Sequence, residues 1–340
     1  MRCFPPLNYL SGRARTALVA VVAFLLAVAP ALGQTYTWTG SGTNNNWNEE
    51  TNWDAAGLPV SGPGANVWFD NSSRYSPIQN LADPFVLNRL DIRGPSSAST
   101  AYSIVGSQLQ FMADGAAQPR IYSNRWATST ISNDIHIPVG TTLHVDLTTY
   151  HLNLTGVISG EGGIDKSSSA GGIDLRNSAN SFSGGLTIRA SDSNWRKVNV
   201  TASGAMGTGP VNLHGGTLGT SHTSPGGLIF FGTTSHANTV NLFEDSPIFA
   251  GLPAGTADVE LTGDVNLGTH TLHLRGGGVG TITGEVTGSG CPPELGHVSV
   301  KHDGPTRSRR QFGRFAVALL HRHSRFEESR QCVRDFVSYR

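Results

Sequence analysis

The 340 residues include three cysteines, Cys3, Cys291 and Cys332, and the long stretch between the first two has none. This excludes a disulfide framework for the body of the chain and a metal site built on cysteine. Charge is also scarce. Charged residues make up 14% of the chain and the formal net charge is zero, so electrostatics give no reason to expect nucleic acid or an anionic membrane surface as a partner. Low charge combined with moderate hydrophobicity argues against disorder. Helical periodicity is nearly missing. There is no phosphate-binding Gly-x-x-x-x-Gly-Lys-Ser/Thr loop, and Gly276-Gly277-Gly278-Val279-Gly280 lacks both the lysine and a following helix. No Gly-x-Ser-x-Gly elbow stands between a strand and a helix. No catalytic residue, cofactor or metal-ligating set follows from these patterns.

Glycine, threonine and asparagine dominate instead, with 42 glycines in the chain. From Leu154 to Gly219, short runs alternate apolar residues with Thr, Ser or Asn, and Gly and Asn punctuate them. This is strand and turn chemistry. The opening recurs: Ile282-Thr283-Gly284-Glu285-Val286-Thr287-Gly288-Ser289-Gly290 matches Leu154 to Gly162 place by place, and Leu147 to Leu154 lies against Leu267 to Leu274. Repeated short-strand modules point to a solenoid, in which each unit buries its apolar face against the next. The expected fold is all-β, a right-handed parallel β-helix. An antiparallel β-sandwich is the rival, because strand periodicity alone does not separate the two.

Three pieces carry a resemblance. They are Gly160-Glu161-Gly162-Gly163-Ile164-Asp165-Lys166, Asn177-Ser178-Ala179-Asn180-Ser181-Phe182-Ser183-Gly184-Gly185, and Met206-Gly207-Thr208-Gly209-Pro210-Val211. In this order they resemble the autotransporter-associated β-strand repeat proteins, large exported bacterial proteins. The motif residues are Gly160, Gly162, Gly163, Asn180, Gly184 and Gly185, with Gly284 and Gly288 in the second copy. The resemblance implies a passenger-like β-solenoid and carries over no catalytic residue, since the repeat is structural.

The N-terminus, residues 1–33, reads as a secretory leader. Arg2, Arg13 and Arg15 precede an apolar run from Thr16 to Pro30, and Ala31-Leu32-Gly33 is a small-x-small cleavage site, so the mature chain is expected to begin at Gln34. An uncleaved N-terminal anchor is the alternative. Residues 34–76 form a distinct lead-in holding four of the six tryptophans, Trp38, Trp47, Trp53 and Trp68, among asparagines. Two readings stand. Trp47 and Trp53 can be glycan-binding rings on the surface, or the aromatics can cap the open end of a solenoid, sealing its core and blocking edge pairing. Physical need favours the cap.

Residues 77–290 are read as the solenoid, with repeat motifs at 147–219 and 264–290. The pattern then stops inside a motif. Residues 291–340 carry ten of the 24 Lys and Arg but three of the 42 Gly. A frame shift that replaced the true continuation is the favoured explanation. A natural basic tail, with a surface-binding helix over Phe312 to Phe336, is the alternative.

Charged residues offer one enzymatic possibility. Asp174 and Arg176 share a strand face, and Asp165, Lys166, Asp192, Arg196 and Lys197 gather if the coils stack in register. His270 and His273, three apart on a strand, are expected to point to opposite faces. Outward-facing solubility residues are the plainer reading. The expected function is therefore a non-catalytic, exported structural or adhesive surface protein, with an extracellular glycan or cell-surface partner. The alternatives are a β-helical polysaccharide lyase or hydrolase, and a carbohydrate-binding module. No outer-membrane translocator or sorting anchor is visible in this sequence.

Overall fold

The computed structural model describes residues 33–288, apart from 55–56, 71–72, 95–98, 167–169, 190–196, 217–225 and 252–256, together with the backbone of 298–300 and 316–317. Residues 1–32 of the expected leader and most of the tail lie outside the described residues, as do Asp192 and Arg196.

Strand follows strand, with one three-residue 3-10 turn at Glu50–Asn52. The strands assemble into an eleven-stranded sheet, a ten-stranded sheet and two four-stranded sheets. All the sheets are parallel, which excludes the antiparallel sandwich. One coil shows the plan. Thr142–Leu147 runs on the first face, Leu152–Leu154 on the second and Ile158–Ser159 on the third, and the chain returns to the first face at Gly163–Lys166. Between the two four-stranded sheets the third face continues through backbone bonds, Ser181 N–H to the Ile158 carbonyl at 2.8 Å and Thr208 N–H to the Phe182 carbonyl at 2.9 Å. Beyond Gly288, Val298–Val300 and Ala316–Val317 pair parallel with Leu272–Arg275 and Val279–Ile282.

Coil length varies at the corners. On the first face Thr142 pairs with Gly163, 21 residues on, whereas Tyr36 pairs with Val67, 31 residues on. The strands keep their register apart from one shift between Asn266 and Gly268, because a one-residue slip would turn the apolar set outward. Along Thr142–Leu147, Leu143, Val145 and Leu147 are buried and the residues between them face out. The interior is one continuous column of such side chains from Tyr36 to Ile282.

The glycine motif turns out to be corner chemistry. Its first copy leads onto the third face at Ile158–Ser159, and its second leads onto the first face at Val286–Gly288. What the copies share is the bend. A Cβ on Gly156 would stand 2.0 Å from the Asn133 carbonyl oxygen, and one on Gly284 would stand 2.0 Å from that of Gly263. The backbone N–H that follows donates to an aspartate of the previous coil in both copies: Val157 to Asp134 Oδ1 at 2.8 Å, and Glu285 to Asp264 Oδ1 at 3.1 Å.

Candidate functional site

The second face carries a dense polar cluster. Ile173 and Leu175 point inward, so Asp174 between them points out. The next coil stacks Asn199 on it in register. Asp174 Oδ1 accepts from Asn199 Nδ2 at 2.6 Å and from His151 Nδ1 at 3.0 Å, and Oδ2 accepts from Arg176 Nη2 at 2.9 Å. An ionised carboxylate only accepts, which puts the His151 proton on Nδ1. Burial alone would push the Asp174 carboxyl up. The three donors, with the nearby imidazole, outweigh it and hold the group below the usual aspartate value. Lys197 lies in the same cluster. Burial draws its amine down from the ordinary lysine value, against the pull of Asp174. Gly172 passes so close that a Cβ there would stand 2.8 Å from Lys197 Cγ and 3.0 Å from His151 Cε1.

The structure thus unites Asp174, Arg176 and Lys197 and adds His151 and Asn199. His151 was legible only through the coil period, since it precedes Asp174 by 23 residues, about one turn. Asp165 is elsewhere. It faces out on the first face, accepts from Arg189 Nε at 2.9 Å and lies 3.9 Å from His144 Nδ1. Lys166 takes an inward position between Val145 and Ile188 and is fully buried. The two aspartates therefore sit on different faces of the coil. Within the second-face cluster all the acceptor capacity that meets donors belongs to one carboxylate. Such an arrangement orients an imidazole and holds charge in place. Among the described residues a second carboxylate, as paired acid–base hydrolysis uses, is not part of it. Among the described residues no group of three or more His, Cys, Asp or Glu is placed to hold a metal ion.

The first face bears a different feature, an outward row that runs the length of the sheet. Asn66, Arg89, Arg120, His144, Asp165, Thr187, Asn212, Asn241, Asn266 and Thr287 stand in register, one per coil. Its last five members form a ladder. Asn212 Nδ2 donates to Thr187 Oγ1 at 3.4 Å, Asn241 Nδ2 to Asn212 Oδ1 at 3.0 Å, Asn266 Nδ2 to Asn241 Oδ1 at 2.7 Å, and Thr287 Oγ1 to Asn266 Oδ1 at 2.6 Å. Beside the row, His214 stacks on Phe243. Burial and the Arg189 charge lower its pKa, partly offset by Glu244 and Asp165.

Trp47 and Trp53 are 0% and 5% exposed. Their rings meet edge to face at 5.5 Å, and Trp53 meets Trp38 at 5.2 Å. The Trp53 indole donates to the Trp47 carbonyl at 2.7 Å. Neither ring presents a face on which a sugar can stack. The asparagines around them serve the loop: buried Asn52 accepts from Gly42 N–H and donates to the Asn44 and Asn46 carbonyls.

The repeat-motif residues are likewise structural. Gly160 and Gly185 have φ of 103° and 91°, a region that favours glycine. Gly162 and Gly163 pack on Gly184 of the next coil, and a Cβ on Gly184 would meet the Gly162 carbonyl carbon at 2.4 Å. Gly284 and Gly288 stack on Gly263 and Gly268. Asn180 is buried and joins three coils, accepting from Ile158 N–H at 2.8 Å and donating to the Ala205 carbonyl at 2.7 Å. Of the histidine pair, His270 lies at a corner 3.9 Å from Asp245, and His273 stands on the second-face strand Leu272–Arg275.

No protein-family model matches the chain, and no curated protein or solved structure is significantly similar to it.

Proposed function

We propose that the chain is an exported, non-catalytic structural or adhesive surface protein of the autotransporter-associated repeat type. The observation that carries this reading is the outward row of the first face. It is a polar surface that repeats once per coil over a continuous stacked core, which suits presentation and contact along a length. The glycine and asparagine motif supports the family reading because its residues serve corners and coil-to-coil bonds. The leader supports export, and the extracellular space, cell surface or outer membrane of a Gram-negative-type bacterium is the natural place of action.

The experiment is expression with the leader in a Gram-negative host. N-terminal sequencing of material recovered outside the cytoplasm should begin at Gln34, and beads coated with that material should adhere to cell surfaces. An uncleaved cytoplasmic product, or beads that adhere no better than bare ones, would overturn it. The His151–Asp174 pair gives the lyase or hydrolase alternative its one foothold. Depolymerisation of acidic or neutral polysaccharide that disappears in Asp174→Ala would establish that alternative instead.

A further inference from the structure

Three large aromatic side chains are exposed among the described residues: Trp126 (49%), Tyr150 (47%) and Phe243 (51%). All three lie at the same corner, where the chain passes from the first face to the second. Trp126 lies between Arg120–Ser123 and Ser129–Ile131, Tyr150 between Thr142–Leu147 and Leu152–Leu154, and Phe243 between Val240–Leu242 and Ser246–Ala250. The other exposed large apolar residues, Leu58, Val60, Ile78 and Val139, are aliphatic.

Trp126 and Tyr150 belong to successive coils, with ring centroids 6.4 Å apart and planes inclined by 47°. Their chain neighbours are tied into the coils. Arg125, buried next to Trp126, donates to the Arg93 and Thr100 carbonyls and lies over the Tyr75 and Tyr102 rings. Thr149 Oγ1 donates to the Arg125 carbonyl at 2.6 Å, clipping the two corners together. The coil after Tyr150 brings Gly171 and Gly172 past it, residues without side chains. A Cβ at Gly171 would stand 2.7 Å from the Tyr150 carbonyl oxygen. Immediately beside Tyr150, His151 opens the polar cluster of Asp174, Arg176, Lys197 and Asn199, in which the Arg176 side chain is about half exposed.

We propose that this edge is a glycan-binding site, with sugar rings stacked on Trp126 and Tyr150 and hydroxyls bonded to the polar cluster beside them. A pyranose offers an apolar face of C–H groups and a polar rim. Amphipathic aromatic rings next to fixed donors and acceptors match both. Two rings on successive coils suit neighbouring units of an extended polymer lying along the solenoid. The proposal deepens the adhesive reading by naming what the surface grips, and it rests on that reading only for the setting.

The test is affinity electrophoresis of the purified full chain in gels containing hydroxyethylcellulose, xylan or alginate, with pull-down on cellulose and chitin powders. At least one polymer should bind the wild type. Trp126→Ala and Tyr150→Ala should each weaken that binding roughly tenfold, and the double variant should abolish it. Val139→Ala, at another corner, should leave it unchanged. Both rings are half exposed, so unchanged thermal unfolding of the variants shows that the fold survives. Wild-type protein that binds none of the five polymers overturns the proposal, as does a double variant that binds like wild type. Adhesion to cells without glycan binding would overturn the edge and leave the adhesive reading standing. Binding accompanied by depolymerisation would leave the edge standing and overturn the non-catalytic reading.

Discussion

In the first coils the interior is filled by Trp38, Trp47, Trp53, Phe69, Phe85 and Tyr102, whereas near the other end it holds Val259, Leu261 and the imidazole of His236. The aromatic end is partly satisfied, since the buried indole N–H groups of Trp47 and Trp68 have no hydrogen-bond partner among the described residues. The Trp38 indole donates to the Arg74 carbonyl at 3.0 Å, and Asn52 has partners for its oxygen and its amide. The other end differs in that its unpaired group titrates. His236 stacks in register with Leu261, on an inward position, and lies 4.8 Å from the Phe230 ring, with no hydrogen-bond partner on either ring nitrogen among the described residues. The same stacked-coil plan thus closes one end with large rings and buries a titratable imidazole at the other. Stability should be concentrated toward the aromatic end and be sensitive to acid toward the other.

The largest effect should come from the aromatic end. Trp47→Ala removes a fully buried ring and should cost about 3–5 kcal/mol in denaturant unfolding. A loss below about 1 kcal/mol, the level of an ordinary surface change, would mean that the ring is not buried, and the comparison would break.

Acid should act at the other end. Burial lowers the His236 pKa to about 4 from its ordinary value of 6.5. Between those values the unfolded chain binds a proton that the folded chain refuses, so stability falls as the pH drops from about 6.5 toward about 4. The total loss should be about 3 kcal/mol. His236→Leu should flatten this part of the profile, and an unchanged slope would show that other groups set it. At neutral pH the same substitution should stabilise by about 1 kcal/mol, because an unsatisfied polar ring leaves the core.

The smallest effect belongs to the outside of the same coils. Asn241→Ala removes two bonds from the ladder and should cost about 1 kcal/mol or less, since the positions are half-exposed. A much larger loss would make the ladder, rather than the interior, the main support of that end.

Much of this architecture was legible in the sequence, for stated reasons. Alternation such as Leu143-His144-Val145-Asp146-Leu147 reports strands directly, and glycines forced by close coil contact, such as Gly184 on Gly162, recur because backbone meets backbone there. The position of each motif within the coil was not legible. The two copies share a bend rather than a face, and corner insertions break the strict period that would have aligned them. The cluster on the second face was half visible. Asp174 and Arg176 are two residues apart, but His151 and Asn199 join them only through stacking, at offsets that depend on corner length. His236 carries no local signal at all, because its inward position follows from its register with Leu261.

The most direct test of the stacked-coil account uses pairs of spin labels on the outward row of the first face, with Cys3, Cys291 and Cys332 replaced by serine. One label stays at position 66 and the other moves through positions 187, 212, 241 and 266, which stand one coil apart in register. Each step should lengthen the measured distance by about 4.8 Å, reaching roughly 38 Å for the pair 66 and 266, eight coils apart. Narrow distributions that grow by this fixed step are the predicted result. Distances that stay level or shorten as the label moves along the row would contradict a parallel solenoid.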